Sequence, residues 1–350
     1  MPYNAHPHLA SFHDKRVFVD QDQLKEYARR RGANRDRLEK GLDEKKEPRP
    51  LEYVPQGSYA MATMIQSEVE HSDIDDGVVF GREALKGSRG GDCAPLAARE
   101  MVRDAVDLDK AFKTPPEVRK NCVRVFYDDQ FHVDLPVYRE YEDGGESVKE
   151  LASGSEWVAS NPEDITAWFN KLVTDRSPDK NNGRQLRRIV RLLKSWSKSR
   201  ASRKLPSGFV ISVLVSEVYP TQPAYWLDRD DLALLQVMRG IRDRLCSIGC
   251  KVYRPVSPRD EITSERTIGR VEAMRDDLEL AIKSLAVIEQ ADCTELSALK
   301  ALRDLFRTDH FDGRISELED DDGGGGGSKA AAVATPSAAV IKRGGTGQYG

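Results

Sequence analysis

Apolar residues recur at two different spacings along this chain, and the changes of spacing divide it into parts. From residue 15 to 48 a short apolar start precedes a highly charged stretch in which leucine and tyrosine recur at helical intervals. Gly32 lies in the middle of this pattern, where a glycine weakens a helix. We therefore expect a helical entry segment over residues 1–50, interrupted near Gly32.

Residues 51–150 have a different pattern. Their apolar runs are short and are separated by glycine, aspartate and charged stretches, which is typical of strands and turns. The runs read VVF, CVRVFY and FHVDLPVY, and one helical pattern extends from about Pro95 to Asp109. This pattern predicts an α+β lobe with a mixed sheet, which is the candidate catalytic lobe.

Helical periodicity dominates from residue 151 to 316. Asn161 and Pro162 form a suitable N-cap and first-turn pair, and a series of helical patterns follows them. From 317 to 350 the sequence contains a five-glycine run, small residues and no periodicity, so it cannot bury enough surface to offset the entropy cost of ordering. We expect an all-helical second lobe over 151–316 and a disordered tail over 317–350.

Composition excludes some classes of protein. The formal net charge is −4, with 54 basic and 58 acidic residues, so the bulk charge gives no sign of a nucleic-acid-binding protein. The five cysteines are scattered and odd in number, which favours a reducing compartment over a disulfide framework. The sequence has neither an apolar run of about 20 residues, as a bilayer span requires, nor the features of a signal peptide. We expect a cytoplasmic protein without a membrane partner.

A glycine and a serine before a helical pattern form the first candidate element. They stand in VPQGSY at residues 54–59, ahead of the helix-compatible AMATMI. Gly57 lets backbone amides approach a phosphate, and Ser58 can add its hydroxyl. A Gly-Ser pair is more often only a turn, so this element is weak alone.

An acidic pair forms the second element. The segment HSDIDDGVVF at residues 71–80 runs directly into an apolar stretch, and in a strand the side chains of Asp73 and Asp75 lie on one face. Asp76 then points to the opposite face, where we expect a structural role. Two carboxylates on one face can bind hard divalent cations. With 58 acidic residues in 350, chance alone gives about ten pairs at this spacing, so the pair decides nothing alone.

A lone aspartate inside a strand-like run is the third element. Asp134 lies within FHVDLPVY at residues 131–138, and a buried carboxylate without a partner is costly. The cost is offset if this strand lies beside the first and Asp134 completes a site with Asp73 and Asp75. Three carboxylates could hold two Mg²⁺ ions, with Mn²⁺ as an alternative, and so support nucleotidyl transfer from a nucleoside triphosphate.

Together these elements resemble a known family. The Gly-Ser turn, DIDDG and HVDLPVY, followed by WVASNP at 157–162 and by LRR and LKSW within 186–196, resemble the bacterial cGAS/DncV-like nucleotidyltransferases (CD-NTases). The branch most similar is that of the cyclic GMP-AMP synthases related to DncV. The likeness covers roughly residues 50–215 and weakens after Tyr219.

The resemblance implies a fold and an activity. The fold is a polymerase-β-like nucleotidyltransferase lobe with a mixed sheet, completed by a helical C-terminal lobe. The activity is the joining of ATP and GTP, or other nucleoside triphosphates, into a cyclic dinucleotide that reaches an effector in anti-phage defence. The zinc insert of the animal synthase is missing from the sequence, which argues against a DNA-activated sensor.

The resemblance also implies roles for single residues. Asp73, Asp75 and Asp134 would be the metal ligands. The residues that would line the acceptor nucleotide's phosphates or contact bound nucleotides are Gln56, Gly57, Ser58, Tyr59, Ala60, Met61, Ser160, Lys194 and Ser207. Arg124 would touch a base, although its distance from Asp134 along the chain differs by one residue from the family's pattern. Asp260 would face the acceptor base.

Several features have plainer explanations. The basic stretch at residues 183–204 places its large apolar residues on one broad face, so we expect most of its charges to form a solvated basic face, with Lys194 as the exception. Binding of nucleic acid through this face is the less favoured alternative. His71 and His132 flank the acidic motifs, but a metal-activated hydroxyl needs no histidine base, so structural roles are expected. Trp157, Trp168 and Trp226 are expected to serve packing.

The last seven residues, GGTGQYG, end on Gly350. Some enzymes of the resembled family have a flexible C-terminus that a partner with ubiquitin-activating-like chemistry joins to another molecule. A long tether before an unhindered carboxylate suits such a transfer, so conjugation at Gly350 is a hypothesis.

Two rival functions remain open at this point. One is the transfer of a single nucleotide onto a protein, an RNA or a small molecule. The other is a non-catalytic module that senses RNA through the basic stretch.

Overall fold

The computed structural model describes residues 2–66, 72–87, 90–110, 112–127, 131–180, 183–200, 202–221 and 229–323. His71, Trp226 and Gly350, for which the sequence suggested roles, lie outside the described residues, as does the predicted tail from residue 324 onward. Among the residues described, no helix has the length and apolar character that a bilayer crossing requires.

Helices and strands follow one another in an α+β order. The described helices are α1 (His6–Phe12), α2 (Gln21–Lys45), α3 (Gly57–Ala60), α4 (Pro95–Val106), α5 (Pro162–Arg176), α6 (Gln185–Lys198), α7 (Gly208–Val218), α8 (Asp230–Ser247), α9 (Ile268–Leu285), α10 (Glu295–Phe306) and α11 (Asp312–Gly323). The described strands are β1 (Glu52–Gln56), β2 (Ser72–Gly81), β3 (Glu117–Val118), β4 (Val123–Tyr127), β5 (Phe131–Leu135), β6 (Val137–Asp143), β7 (Glu146–Ser153) and β8 (Glu156–Ala159).

Helix α2 runs without interruption through Gly32, so the predicted break is wrong. The Asp20 side chain caps its start by accepting a hydrogen bond from the backbone amide of Gln23 at 2.7 Å. Tyr27 and Leu38 on its inner side are buried in the core of the catalytic lobe. A glycine costs a helix interior only about 1 kcal/mol, which the cap and this packing offset.

Among the described strands, eight form one mixed sheet, in the order β3-β4-β5-β2-β6-β7-β8, with β1 paired to β2. The strand β2 pairs antiparallel with β1 and parallel with both β5 and β6. β5 and β6 follow each other across Pro136 and pair with the first and the second half of β2. The sheet and its helices confirm the predicted α+β architecture, and the acidic strand lies beside the strand that contains Asp134.

The sheet extends further along the chain than predicted. A lobe boundary after residue 150 would cut through β7, whereas the antiparallel pair of β7 and β8 continues the sheet to Ala159. These strands lie at one end of the sheet and expose many of their side chains. Their apolar pattern is therefore weak, which is why the sequence did not reveal them.

The two lobes have separate cores, and the N-terminal region contributes to both. Leu9 and Phe12 of α1 are buried in the core of the helical lobe. Leu38 and Leu42 of α2 are buried in the core that α2 and α4 form with the sheet. The predicted entry segment over 1–50 is therefore not one structural unit.

The last described helix, α11, continues past residue 316, where the tail was predicted to begin. Ile315 is buried in the core of the helical lobe and Leu318 packs against that core. Lys300 and Glu319 form an ion pair at 2.6 Å. These contacts order the start of the segment that was assigned to the disordered tail because it lacks helical periodicity.

Candidate active site

Two neighbouring parallel strands carry the three predicted carboxylates. β2 contains Asp73 and Asp75 at alternate positions, which places their side chains on one face of the sheet. In the parallel pair of β2 and β5, Asp75 lies directly beside Asp134. Asp134 is only 6% exposed, within a strand that is buried throughout. The structure thus brings the three aspartates, which we call the carboxylate cluster, to one place on the sheet.

Asp76, the next residue along β2, faces the other side of the sheet. It is fully buried, and Arg35 of α2 donates to its two oxygens at 2.6 and 2.5 Å. A buried carboxylate with a bidentate guanidinium partner is satisfied. Asp76 therefore anchors α2 to the sheet, in agreement with the structural role expected for it.

The Gly57 turn lies directly against the carboxylate of Asp75. β1 pairs with β2 so that Gln56 is opposite Asp75, and α3 begins at the next residue. Gly57 has a φ of +65°, and a Cβ added there would stand 2.1 Å from Oδ2 of Asp75. Both the left-handed backbone and this close contact require glycine. The residue type at position 57 is thus tied to the carboxylate cluster.

Burial and mutual repulsion raise pKa values in the carboxylate cluster. The pKa of Asp75 is raised to about 8, first by desolvation and then by the charges of Asp73 and Asp134. The pKa of Asp73 is also raised, first by burial and then by Asp134. Ionisation of Asp75 at neutral pH is therefore unfavourable, and a cation bound beside it would favour the charged form.

Arg124 neutralises Asp134 in this structure. It lies opposite Asp134 in the antiparallel pair of β4 and β5, and its Nε and Nη2 donate to the two carboxylate oxygens at 2.8 and 2.7 Å. Within the described residues, no three acidic, imidazole or thiol side chains already lie in an arrangement that could hold a metal ion. The expected contact of Arg124 with a base stays a prediction.

A cleft of about 900 Å³ lies between the sheet and the helical lobe. Gly57, Ser58, Asp73 and Asp75 line it from the catalytic lobe. The lining from the helical lobe contains many cations, which we call the basic wall: Lys194, Lys198, Arg200, Arg203, Lys204 and Arg270. A cleft with carboxylates on one side and cations on the other suits a polyphosphate ligand that binds together with metal ions.

Most of the predicted nucleotide contacts line this cleft. They are Gln56, Gly57, Ser58, Met61, Ser160, Lys194 and Ser207. Tyr59 and Ala60 belong to the same short helix, α3, but are not among the described lining residues, and the ring of Tyr59 instead lies 5.1 Å from the Arg31 guanidinium. Asp260 is also not among them, and its exposed carboxylate pairs with Arg254 at 3.1 Å. The prediction for Asp260 rested on the half of the chain where the resemblance is weak.

Sequence reasoning missed several residues of the cleft. Tyr138 is buried in its lining, burial raises its pKa, and its hydroxyl donates to Oε1 of Gln56 at 2.9 Å. Lys198 follows Lys194 by one helical turn, and this spacing was the signal that could have found it. Arg270 comes from α9, and no local pattern joins that helix to the rest of the cleft.

The expectation of a solvated basic face on α6 is wrong for its central residues. Arg188 and Arg191 are only 7% and 3% exposed, and Lys194, which was expected to be the exception, is 7% exposed. Burial, and then the nearby charge of Lys198, lower the pKa of Lys194 to about 7. These charges are buried because α6 lies between the lobes, where backbone carbonyls and buried carboxylates accept their hydrogen bonds.

His132 and the described tryptophans make packing contacts and hydrogen bonds within the protein interior. His132 is buried with its ring edge-on to Phe126, the two ring centroids being 5.1 Å apart. Trp157 donates from Nε1 to the carbonyl of Cys93 at 2.9 Å, and Trp196 is fully buried in the helical lobe. These contacts agree with packing roles.

Comparison with known proteins identifies the class. Residues 51–138 match the family described as cyclic GMP-AMP synthase DncV-like, nucleotidyltransferase domain. The chain is similar to the apo form of the Vibrio cholerae cyclic AMP-GMP synthase DncV, with 17% identity and a TM-score of 0.69 over 87% of this chain and 95% of that chain. It is similar to the same enzyme in complex with the linear intermediate 5' pppA(3',5')pG, with 16% identity and a TM-score of 0.66 over 87% and 96%. It is also similar to CdnC of Escherichia coli MS115-1 with ATP, with 16% identity and a TM-score of 0.65 over 88% and 99%.

The fold, the carboxylate cluster and the family match define a nucleotidyltransferase, and this chain is an enzyme of that class. Residues 51–138 are a DncV-like nucleotidyltransferase domain, which confirms the resemblance seen in the motifs of this segment. The matched segment contains both the Gly57 turn and the entire carboxylate cluster.

Proposed function

We propose that the enzyme joins ATP and GTP, or two other nucleoside triphosphates, into a cyclic dinucleotide. The observation that carries this proposal is the Gly57 turn seated against Asp75 in a cleft with a basic wall, within a DncV-like domain. The similar Vibrio cholerae enzyme is known in complex with a linear dinucleotide intermediate, which supports the same sequence of steps here.

Each step forms one phosphodiester bond and breaks one phosphoanhydride bond. A ribose hydroxyl of one nucleotide attacks the α-phosphorus of the other, pyrophosphate leaves, and the hydroxyl proton passes to solvent. The basic wall binds the triphosphate and stabilises the charge of the departing pyrophosphate. A second step of the same kind within the linear product closes the ring.

The carboxylate cluster suits hard divalent cations, because its donors are all oxygens and its mutual repulsion is relieved by positive charge. We infer that Asp73, Asp75 and Asp134 hold two Mg²⁺ ions, with Mn²⁺ as an alternative. Bound ions would polarise the α-phosphate and neutralise the leaving group. The chain's own part is to release Asp134 from Arg124 and to give up the proton that Asp75 holds at neutral pH.

A product assay tests this proposal. The protein is incubated with Mg²⁺ or Mn²⁺ and with each labelled nucleoside triphosphate, alone and in pairs, and the products are treated with phosphatase. A phosphatase-resistant product with the mass of a cyclic dinucleotide is the expected result. Labelled nucleotide attached to protein or RNA, or linear products alone, would contradict the proposed cyclisation. Such a result would favour the alternative in which one nucleotide is transferred to another acceptor.

The non-catalytic RNA-sensing alternative is less well supported. It needed the charges of the stretch 183–204 to face solvent, yet Arg188, Arg191 and Lys194 are buried at the junction of the lobes. Nucleotide turnover in protein freed of RNA by nuclease treatment would count against this alternative directly.

Replacing Arg124 by glutamine should lower the melting temperature of the metal-free protein. It should also enlarge the increase in melting temperature that Mn²⁺ produces. Asp134 is buried, and removing the partner of a buried ion pair costs about 3 kcal/mol or more. In the variant no arginine competes with the ion for the oxygens of Asp134. Thermal unfolding with and without Mn²⁺ measures both effects.

Arg35→Gln is the matched control for Arg124→Gln. Arg35 makes a similar bidentate pair with Asp76 on the opposite face of the same strand, so its loss should also lower the melting temperature. Mn²⁺ should not restore that loss, since Asp76 lies outside the carboxylate cluster. An equal Mn²⁺ gain in both variants would contradict the placement of the ion.

We further propose that the product is a signal that acts on an effector in anti-phage defence, as in the resembled family. Co-expression of the chain with its genomic neighbours should protect cells from phage, and the Asp73→Asn variant should not. Protection that persists in the Asp73→Asn variant would contradict a role for the nucleotide product.

The cells used for this test also allow a search by mass spectrometry for an adduct at Gly350 made by a ubiquitin-activating-like partner.

A further inference from the structure

Three basic residues of α6 hold three successive backbone carbonyls at the end of the Gly57 turn. Arg187, Arg191 and Lys194 are spaced by four and then three residues, so their side chains leave the helix on one side. They donate to the carbonyl oxygens of residues 61–63 in the same order, at 3.1, 2.5 and 3.0 Å. The order of the cations along α6 therefore matches the order of the carbonyls.

The amides of the same three peptides are bonded to the turn itself. The Met61 amide donates to the carbonyl of Gly57 at 3.1 Å, the Ala62 amide to that of Tyr59 at 3.0 Å, and the Thr63 amide to that of Ser58 at 2.8 Å. Each of residues 61–63 thus donates one hydrogen bond to the turn that lines the cleft and accepts another from α6, so that these three residues connect the two.

This arrangement lowers the stability of the fold, which indicates that it is retained for function. Arg191 is 3% exposed and its guanidinium bonds to the Ala62 carbonyl, which is not charged. Burial, and then the charges of Arg187 and Arg188, lower its pKa to about 10. Ala62 itself has a φ of +52°, a left-handed conformation that costs a residue with a side chain about 1–2 kcal/mol. An apolar contact between the lobes would avoid these costs.

We propose that Arg187 and Arg191 are positioning residues for nucleotidyl transfer, which set the Gly57 turn at the correct distance from the carboxylate cluster. Among the described residues that line the cleft, α6 contributes Lys194, Ser197 and Lys198 and neither of these two arginines. Their hydrogen bonds to the segment that follows the Gly57 turn are made to the carbonyls of Met61 and Ala62. The inference rests on the proposed function, because the turn matters only if a nucleotide is held there.

Arg191→Ala tests the proposal through kinetics. The turn loses its central connection to α6 while the basic wall is unchanged, so kcat should fall by at least about tenfold and KM for the triphosphate should change by less than about threefold. Added guanidinium ion should restore part of kcat, because it can occupy the space left by the side chain. A variant with unchanged kcat, assayed well below its melting temperature, would overturn the proposal.

Arg188→Gln is the matched control. Arg188 lies on the same helix and is also buried, but it pairs with Asp230 and Asp179. We expect a loss of melting temperature at least as large as in Arg191→Ala, with kcat within about twofold of the wild type and no rescue by guanidinium. A tenfold loss of kcat in this control as well would show that the kinetic effect reports general instability, and would overturn the proposal.

Hydrogen exchange separates this inference from the proposed function. In Arg191→Ala the amides of residues 61–63 should exchange at least about tenfold faster than in the wild type, and in Arg188→Gln they should not. This result does not depend on turnover. A protein that makes no nucleotidyl product refutes the proposed function, whereas unchanged exchange in Arg191→Ala refutes the positioning role.

Discussion

Replacing Asp75 by asparagine should reduce nucleotidyl transfer by at least about a thousandfold, as should Asp73→Asn and Asp134→Asn. Asparagine keeps the shape of the side chain but removes the negative charge that a divalent cation needs, and loss of metal-based stabilisation of the transition state is worth several kcal/mol. Release of pyrophosphate from a labelled triphosphate, in saturating Mg²⁺, measures the loss. Normal activity in any of the three variants would show that its carboxylate is not a ligand.

Asp76→Asn is the control for these three variants. Asp76 neighbours Asp75 on β2 but faces Arg35, outside the carboxylate cluster. Its replacement should lower the melting temperature, because the partly buried Arg35 guanidinium loses its charged partner. It should leave the activity of the remaining folded enzyme within a fewfold of the wild type. A thousandfold loss here would mean that disruption of β2, rather than loss of a ligand, explains the other results.

The pH dependence of stability gives an independent check on Asp75. Its pKa is raised to about 8 in the folded protein, against 3.8 as the ordinary value, so between these values the folded state holds a proton that the unfolded state has released. Stability of the metal-free protein should therefore fall as pH rises through this window, and the full cost is present above pH 8. Asp75→Asn removes this cost, so at pH 9 its melting temperature should equal or exceed that of the wild type. A lower value at pH 9 would contradict the raised pKa.

Gly57→Ala should reduce kcat by at least about a hundredfold. The added Cβ would stand 2.1 Å from Oδ2 of Asp75, so either the turn or the carboxylate must move, and displacement of a reacting group by about 1 Å can cost that much. The φ of +65° adds a strain of about 1–2 kcal/mol. Steady-state kinetics, together with a melting curve, separate the loss of catalysis from the loss of stability.

Gly144→Ala isolates the contribution of backbone strain. Gly144 has a φ of +59°, but its surroundings leave open space for a Cβ. This control should therefore show a similar strain penalty in the melting temperature and an activity close to that of the wild type. Activity of Gly57→Ala equal to that of Gly144→Ala would show that the close contact with Asp75 is relieved without consequence for the reaction.

The meeting of the three aspartates could be predicted from the sequence because it depends on simple rules. Alternation along a strand puts Asp73 and Asp75 on one face, and a lone acid in a second apolar strand requires a partner. The contact between Gly57 and Asp75 could not be predicted in the same way. It depends on the register of β1 against β2, which no local pattern specifies.

The wrong predictions about the fold have a common cause, which is that contacts between distant parts of the chain decide these features. The charges of α6 looked solvated because the carbonyls of residues 61–63, which satisfy them, are more than a hundred positions away in the sequence. The helix α2 passes through Gly32 because the sheet supports it from one side. Helix α11 is ordered by Leu318 and by an ion pair with α10. Periodicity alone contains no information about such partners.

The split of the N-terminal region between the two cores limits how the protein can be shortened. Leu9 and Phe12 fill space in the helical lobe, α2 covers one face of the sheet, and the link between them pairs with the chain beyond the turn through Phe18 and Ile65. A truncation starting at residue 51, where the family match begins, would expose apolar surface on both lobes at once. Expression of residues 51–350 should therefore give an aggregating product, whereas the chain that retains the region from α1 onward should be recovered as folded enzyme.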